Sequence, residues 1–138
     1  MKDVVIKRTY DASIDEVYKA ISDPKELEKW MAPDPLTSKV PKFEAKVGSD
    51  FRVEMYGDKE PHIGVGEIKE VIPGKKISMT WNWEGAPTNP NSVLTLELQS
   101  KGDKTELTLT HSGFMEQKDF DMHMSGWTSC MEKLSKVL

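Results

Sequence analysis

The chain has 138 residues, of which 37% are hydrophobic and 30% charged, with a formal charge of −4 and a pI of about 5.4. This length suits one ordinary domain spanning 1–138, and the composition excludes disordered and membrane-spanning classes. The longest aliphatic run, Val4-Val5-Ile6, is far short of the roughly 20 apolar residues that a membrane span requires. Arg8 and Arg52 are the only arginines, and the lysines are scattered among acids, so no concentrated basic face is available for nucleic acid. The N-terminus lacks the apolar core of a signal peptide, and Cys130 is the single cysteine; a reducing cytoplasm is the expected compartment.

Val4, Ile6 and Arg8 alternate with Val5, Lys7 and Thr9, which predicts a first strand ending near Tyr10. The period then changes. Ser13 and Glu16 form a capping box, and Ile14, Val17 and Ile21 recur at helical spacing. Asp23-Pro24 opens a second short helix carrying Leu27, Trp30 and Met31, stopped by Pro33 and Pro35.

From about Val40 to His111 the period is two, as in strands. Phe43, Ala45 and Val47 share one face, and after Gly48 so do Phe51, Val53 and Met55. Ile63 to Ile72 is a weaker strand loosened by Gly64 and Gly66, followed by a Pro73-Gly74 turn. Ile77, Met79, Trp81 and Trp83 line one face of the next strand, and 85–91 is a loop. Leu94, Leu96 and Leu98 precede a Gly102-Asp103 turn, and Leu107, Leu109 and His111 return. Six strands on short connections favour antiparallel pairing. Finally Phe120, Met124, Trp127, Met131, Leu134 and Leu138 step by four and three, one apolar stripe on a helix of about five turns. So one-sided a helix needs the sheet's apolar face as its partner. The predicted fold is α+β: a curved antiparallel sheet of about seven strands wrapped around a long C-terminal helix, with two short helices after the first strand.

That order resembles the helix-grip fold of the birch-pollen-allergen and START superfamily (SRPBCC). Within it the chain is similar to the branch named for the activator of the heat-shock protein 90 ATPase. The resemblance rests on Ala12-Ser13 with Asp15-Glu16-Val17 and Ala20; on Asp23-Pro24 through Trp30; on Pro73-Gly74 followed by Trp81; and on Leu107-Thr108-Leu109-Thr110-His111-Ser112-Gly113-Phe114 continuing to Gly126-Trp127. Tyr18 stands where the family usually has tryptophan, Met31 where it often has a second aromatic, and Gly48-Ser49 where a Gly-Gly pair is expected. Tyr18 and Met31 would alter the lining or mouth of a cavity. The resemblance implies a hydrophobic pocket between helix and sheet but not one activity, because members include binding proteins, cyclases and co-chaperone domains.

The candidate ligand-binding residues are Trp30, Phe51, Met55, Met79, Trp81, Trp83, Leu109, His111, Phe114, Phe120, Met124 and Trp127. Any one of them could equally be ordinary core. As a set, with eight methionines in the chain, they suit an adaptable apolar pocket. By strand parity His111 points inward beside Leu107 and Leu109, where a neutral imidazole could orient a ligand carbonyl or serve as a general base. The competing reading is a buried histidine satisfied by a backbone group or Ser112. Glu54, Tyr56 and His62 read as solvated, and His123 falls beside the helix stripe. His62, His111, His123 and Cys130 show no metal-ligand spacing, so no metal or cofactor is expected. Cys130, mid-helix, reads as packing.

The expected function is non-catalytic binding of a lipid- or polyketide-like apolar small molecule by a monomer or homodimer. One alternative is a chaperone-associated interaction module. Another is a cyclase, lyase or hydrolase acting on a lipophilic carbonyl compound, with His111 as base.

Overall fold

A computed structural model describes residues 2–85 and 89–138. Strand β1 (Val4–Tyr10) buries Val4, Ile6 and Tyr10 on one face. Helix α1 (Ile14–Ser22) opens with the expected reciprocal cap: the Glu16 amide donates to Ser13 Oγ and the Ser13 amide to Glu16 Oε1, both at 3.2 Å. Helix α2 (Pro24–Leu27) is shorter than the spacing predicts, because its regular turns end at Leu27. Beyond it Glu28 is drawn to the next strand, accepting from the Ser38 hydroxyl (2.9 Å) and, through its carboxylate, from the Val40 amide (2.8 Å). Trp30 inserts beneath α1 and donates from Nε1 to the Ala20 carbonyl at 2.9 Å.

The remaining strands are β2 (Thr37–Lys42), β3 (Asp50–Tyr56), β4 (His62–Ile72), β5 (Lys76–Thr80), β6 (Asn82–Trp83), β7 (Val93–Lys101) and β8 (Lys104–Ser112). All pair antiparallel, in the order β1-β8-β7-β5-β4-β3-β2, with β6 paired to β4. The first and last strands thus meet, Val4 opposite His111, and the curled sheet forms a half-barrel around helix α3 (Gln117–Val137).

Two strands differ from the sequence reading. β2 lies earlier, and the Phe43–Val47 alternation falls outside it. Pro41 has no amide to donate, a register shift separates Lys39 from Lys42, and the chain leaves the sheet there; an edge strand tolerates such a break. The strand predicted through Trp83 divides at Trp81, whose amide donates to the Ser92 carbonyl (3.1 Å), and Asn82 and Trp83 resume pairing opposite Val65 and Gly64. Gly64 admits this arrangement, since a Cβ there would lie 2.5 Å from Cζ2 of Trp81. The loop expected at 85–91 falls partly outside the described residues.

The bowl of the sheet is filled. Trp30, Trp81, Ile68, Ile77, Met79, Leu94, Leu96 and Leu107 are at most 1% exposed. Helix α3 closes it with Trp127, Cys130, Met131 and Leu134, while Phe120 and Met124 are only half-buried and His123 takes a buried position instead. Among the described residues no helix is long and apolar enough to cross a membrane.

Candidate functional site

A cleft of about 520 Å³ opens at one end of the half-barrel, beside the N-terminal half of α3 rather than inside the bowl. Its walls come from four places. Helix α3 presents Asp119, Met122, His123, Gly126, Trp127 and Cys130; the segment after α2 presents Pro33 and Leu36; the β3–β4 end presents Met55, Pro61, His62 and Ile63; and Trp83 and Glu84 complete it.

Side-chain bonding fixes the wall made by Pro33 and Leu36. Lys133 Nζ donates to the carbonyls of Ala32 (2.7 Å) and Leu36 (3.0 Å) and lies 3.5 Å from the Asp34 carboxylate. The Asp34 amide donates to Ser129 Oγ at 2.9 Å. Both anchors lie on α3, so this wall is tied to the helix that it faces.

Behind the cleft two histidines are each held by an indole. Trp127 Nε1 donates to His111 Nδ1 at 2.9 Å, so the neutral ring carries its proton on Nε2 and donates it to Ser92 Oγ. His123 uses the opposite tautomer: Nδ1–H donates to the Asp119 carbonyl (2.7 Å), and Nε2 accepts from Trp83 Nε1 at 3.3 Å. The two imidazole centroids lie 4.9 Å apart, with Phe114 at 4.6 Å from His111 and 4.7 Å from His123. Burial dominates their titration. It pushes His111 down to about 3, with His123 nearby adding to the effect, and lowers His123 as well. Burial likewise pushes the Cys130 thiol up to about 12, the reverse of what a nucleophilic thiolate requires.

Of the residues singled out from sequence, Met55, Trp83 and Trp127 line the cleft. Trp30, Phe51, Met79, Trp81 and Leu109 lie in the filled bowl, where Phe51 stacks on Trp81 at 5.6 Å. His111 points inward as parity requires but is fully buried, and its partners are Ser92 and Trp127 rather than Ser112. Phe114 is buried against the histidines; Phe120 and Met124 are half-buried on α3, packed against the core and outside the cleft lining. Tyr18 and Met31, expected to affect a cavity, pack on the core instead. Sequence reasoning missed His123, Asp119, Met122 and Gly126. They recur at helical spacing about one residue off the apolar stripe, and the unforced mid-helix glycine was the available signal. Glu54 and Tyr56 bond to each other at 2.7 Å outside the cleft. Among the described residues no three His, Cys, Asp or Glu side chains converge to hold a metal ion.

The cleft arrangement occurs on a widely shared fold. Protein CV1439 from Chromobacterium violaceum is 23% identical, with a TM-score of 0.89 over 98% of this chain and 95% of that one. The AHSA1 protein of Silicibacter pomeroyi is 20% identical, with a TM-score of 0.86 over 98% and 96%. Protein MLL2253 from Mesorhizobium loti is 26% identical, with a TM-score of 0.79 over 98% and 95%. No curated protein matches the sequence. Residues 11–138 match the family described as Activator of Hsp90 ATPase homolog 1-like protein, and the chain belongs to that family.

Proposed function

We propose that the protein binds an apolar small molecule, without transforming it, in the cleft between the N-terminal half of α3 and the β3–β4 end of the sheet. The observation that carries this reading is the cleft itself. Its volume of about 520 Å³ lies within the range of small-molecule pockets, and Met55, Ile63, Trp83, Met122 and Trp127 give it apolar walls with few polar groups. Affinity would come from removing ligand and wall from water together, about 25 cal/mol for each Å² of apolar surface. Compliant methionine side chains suit a ligand that need not fit one rigid shape.

The bonding behind the cleft supports binding over catalysis. An indole N–H can only donate, so Trp127 holds His111 Nδ1 as acceptor and leaves the proton on Nε2, facing Ser92. In that state His111 cannot accept the Ser92 proton, and both side chains are at most 2% exposed. His111 would thus act by holding Trp127 in place rather than by touching ligand. The chaperone-module alternative draws on the family description alone. The cytoplasm remains the compartment we infer, from the single cysteine.

Native mass spectrometry of gently purified protein, followed by denaturing release, tests the reading. The expected result is a bound apolar species of a few hundred daltons, the size such a cleft encloses. A mass without adduct, together with no binding of any apolar probe from a panel, overturns it.

A further inference from the structure

The charges around the cleft are one-sided. Two carboxylates, Asp119 and Glu84, belong to the lining, and among the described residues no lysine or arginine does. Glu84 is partly compensated: Arg52 donates to it at 2.7 Å but also to Glu54 at 2.6 Å, so that group keeps a net negative charge. On α3, Lys118 precedes Asp119 but pairs with Glu116 at 3.4 Å and lies outside the lining, and Lys133 is engaged by the Ala32 and Leu36 carbonyls and by Asp34. Asp119 differs from Glu84. Its backbone carbonyl holds His123, yet its half-buried carboxylate has no hydrogen bond or ion pair among the described residues. It stands in the first turn of α3, where it offsets the positive helix end that would otherwise welcome an anion. Burial keeps His123 neutral at neutral pH, so it supplies no compensating charge.

The same cleft is lined by the indoles of Trp83 and Trp127, a ring type whose faces attract cations, and by the polarisable sulfurs of Met55 and Met122. We propose, resting on the binding reading above, that the natural ligand is an amphipathic cation: an amine carried on an apolar, ring-bearing body. The body lies against Trp83, Met122 and Trp127, and the ammonium donates to Asp119. Asp119 is itself half-buried, which strengthens the attraction relative to an open surface. A carboxylate or sulfate ligand would instead meet Asp119 and Glu84 with like charge.

Isothermal titration with three probes sharing one ring system tests this: 2-naphthylmethylammonium, 2-naphthalenemethanol and 2-naphthoate at pH 7.4 and low salt. The ammonium should bind about tenfold tighter than the alcohol, the size of one charge-assisted hydrogen bond at a half-buried site, and the naphthoate most weakly. Asp119→Asn should abolish the preference for the ammonium over the alcohol, read as the ratio of the two affinities within that variant. Naphthoate binding as tightly as the ammonium, or an undiminished preference in Asp119→Asn, overturns the inference. Equal binding of all three overturns the cationic class and leaves the cleft reading standing, whereas no binding by any probe overturns both.

Discussion

Replacing Gly126 by alanine and then by leucine separates the fold of α3 from the use of the cleft. Gly126 lies mid-helix and lines the cleft, and a Cβ built there meets only Cγ of Pro33, at 3.9 Å, an ordinary contact. A mid-helix glycine costs about 0.5–1 kcal/mol relative to alanine. Gly126→Ala should recover that amount, raising Tm by roughly 2–4 °C for a chain of this size. Gly126→Leu should fold as well, but its side chain projects into the space a ligand would fill. Its four carbons displace apolar contact worth about 0.8 kcal/mol each, so affinity for 2-naphthalenemethanol should fall by about 3 kcal/mol, near a hundredfold. Thermal unfolding followed by circular dichroism and titration calorimetry read the two effects separately. A leucine variant that folds and keeps wild-type affinity would refute the placement of ligand in this cleft. An alanine variant that loses stability would refute the open geometry at Gly126.

Ser92→Ala leaves the His111 Nε2–H buried without a partner and should cost about 1–3 kcal/mol in urea unfolding, with probe affinity unchanged; unchanged stability would contradict the bond. Lowering the pH should also destabilise the fold. His111 has its folded pKa, about 3, below the unfolded value near 6.5, so its neutral form contributes full stability above pH 6.5. As pH falls below 6.5 the unfolded chain takes the proton first, costing about 2 kcal/mol by pH 5, with His123 adding in the same direction. A urea midpoint that does not move between pH 7 and pH 5 would contradict the burial of these rings. Gly64→Ala forces a Cβ to 2.5 Å from the Trp81 ring and should cost about 1–3 kcal/mol in the same assay. Wild-type stability in that variant would show that Trp81 does not lean on this glycine.

Local chemistry accounts for most of what could be read before folding. Val53 and Met55, Leu94 to Leu98, and Leu107 to His111 alternate and are buried as that alternation requires, because side-chain direction in a strand has period two. The Ser13–Glu16 cap acts within four residues and needs no knowledge of the rest of the chain. The cleft is different. Its position depends on how α3 rolls on the sheet, and the roll puts His123 where an apolar pattern would place Met124. A polar side chain holds that buried position because the Trp83 indole and the Asp119 carbonyl satisfy both ring nitrogens. One of those partners comes from β6, whose existence depends in turn on the chain breaking at Trp81. Hydrophobic periodicity contains no term for such long-range partners. It therefore marked Trp30, Phe51 and Trp81, which fill the bowl, and passed over Asp119 and Gly126, which border the opening.

The most direct test of apolar binding at the cleft is a ¹H–¹⁵N correlation spectrum recorded while 2-naphthalenemethanol is added. Each indole N–H reports a different place: Trp83 and Trp127 line the cleft, whereas Trp30 is bonded to the Ala20 carbonyl deep beneath α1. The account predicts that the Trp83 and Trp127 signals shift to saturation while Trp30 stays still. Unmoved Trp83 and Trp127 signals, or saturable shifts led by Trp30, would contradict it.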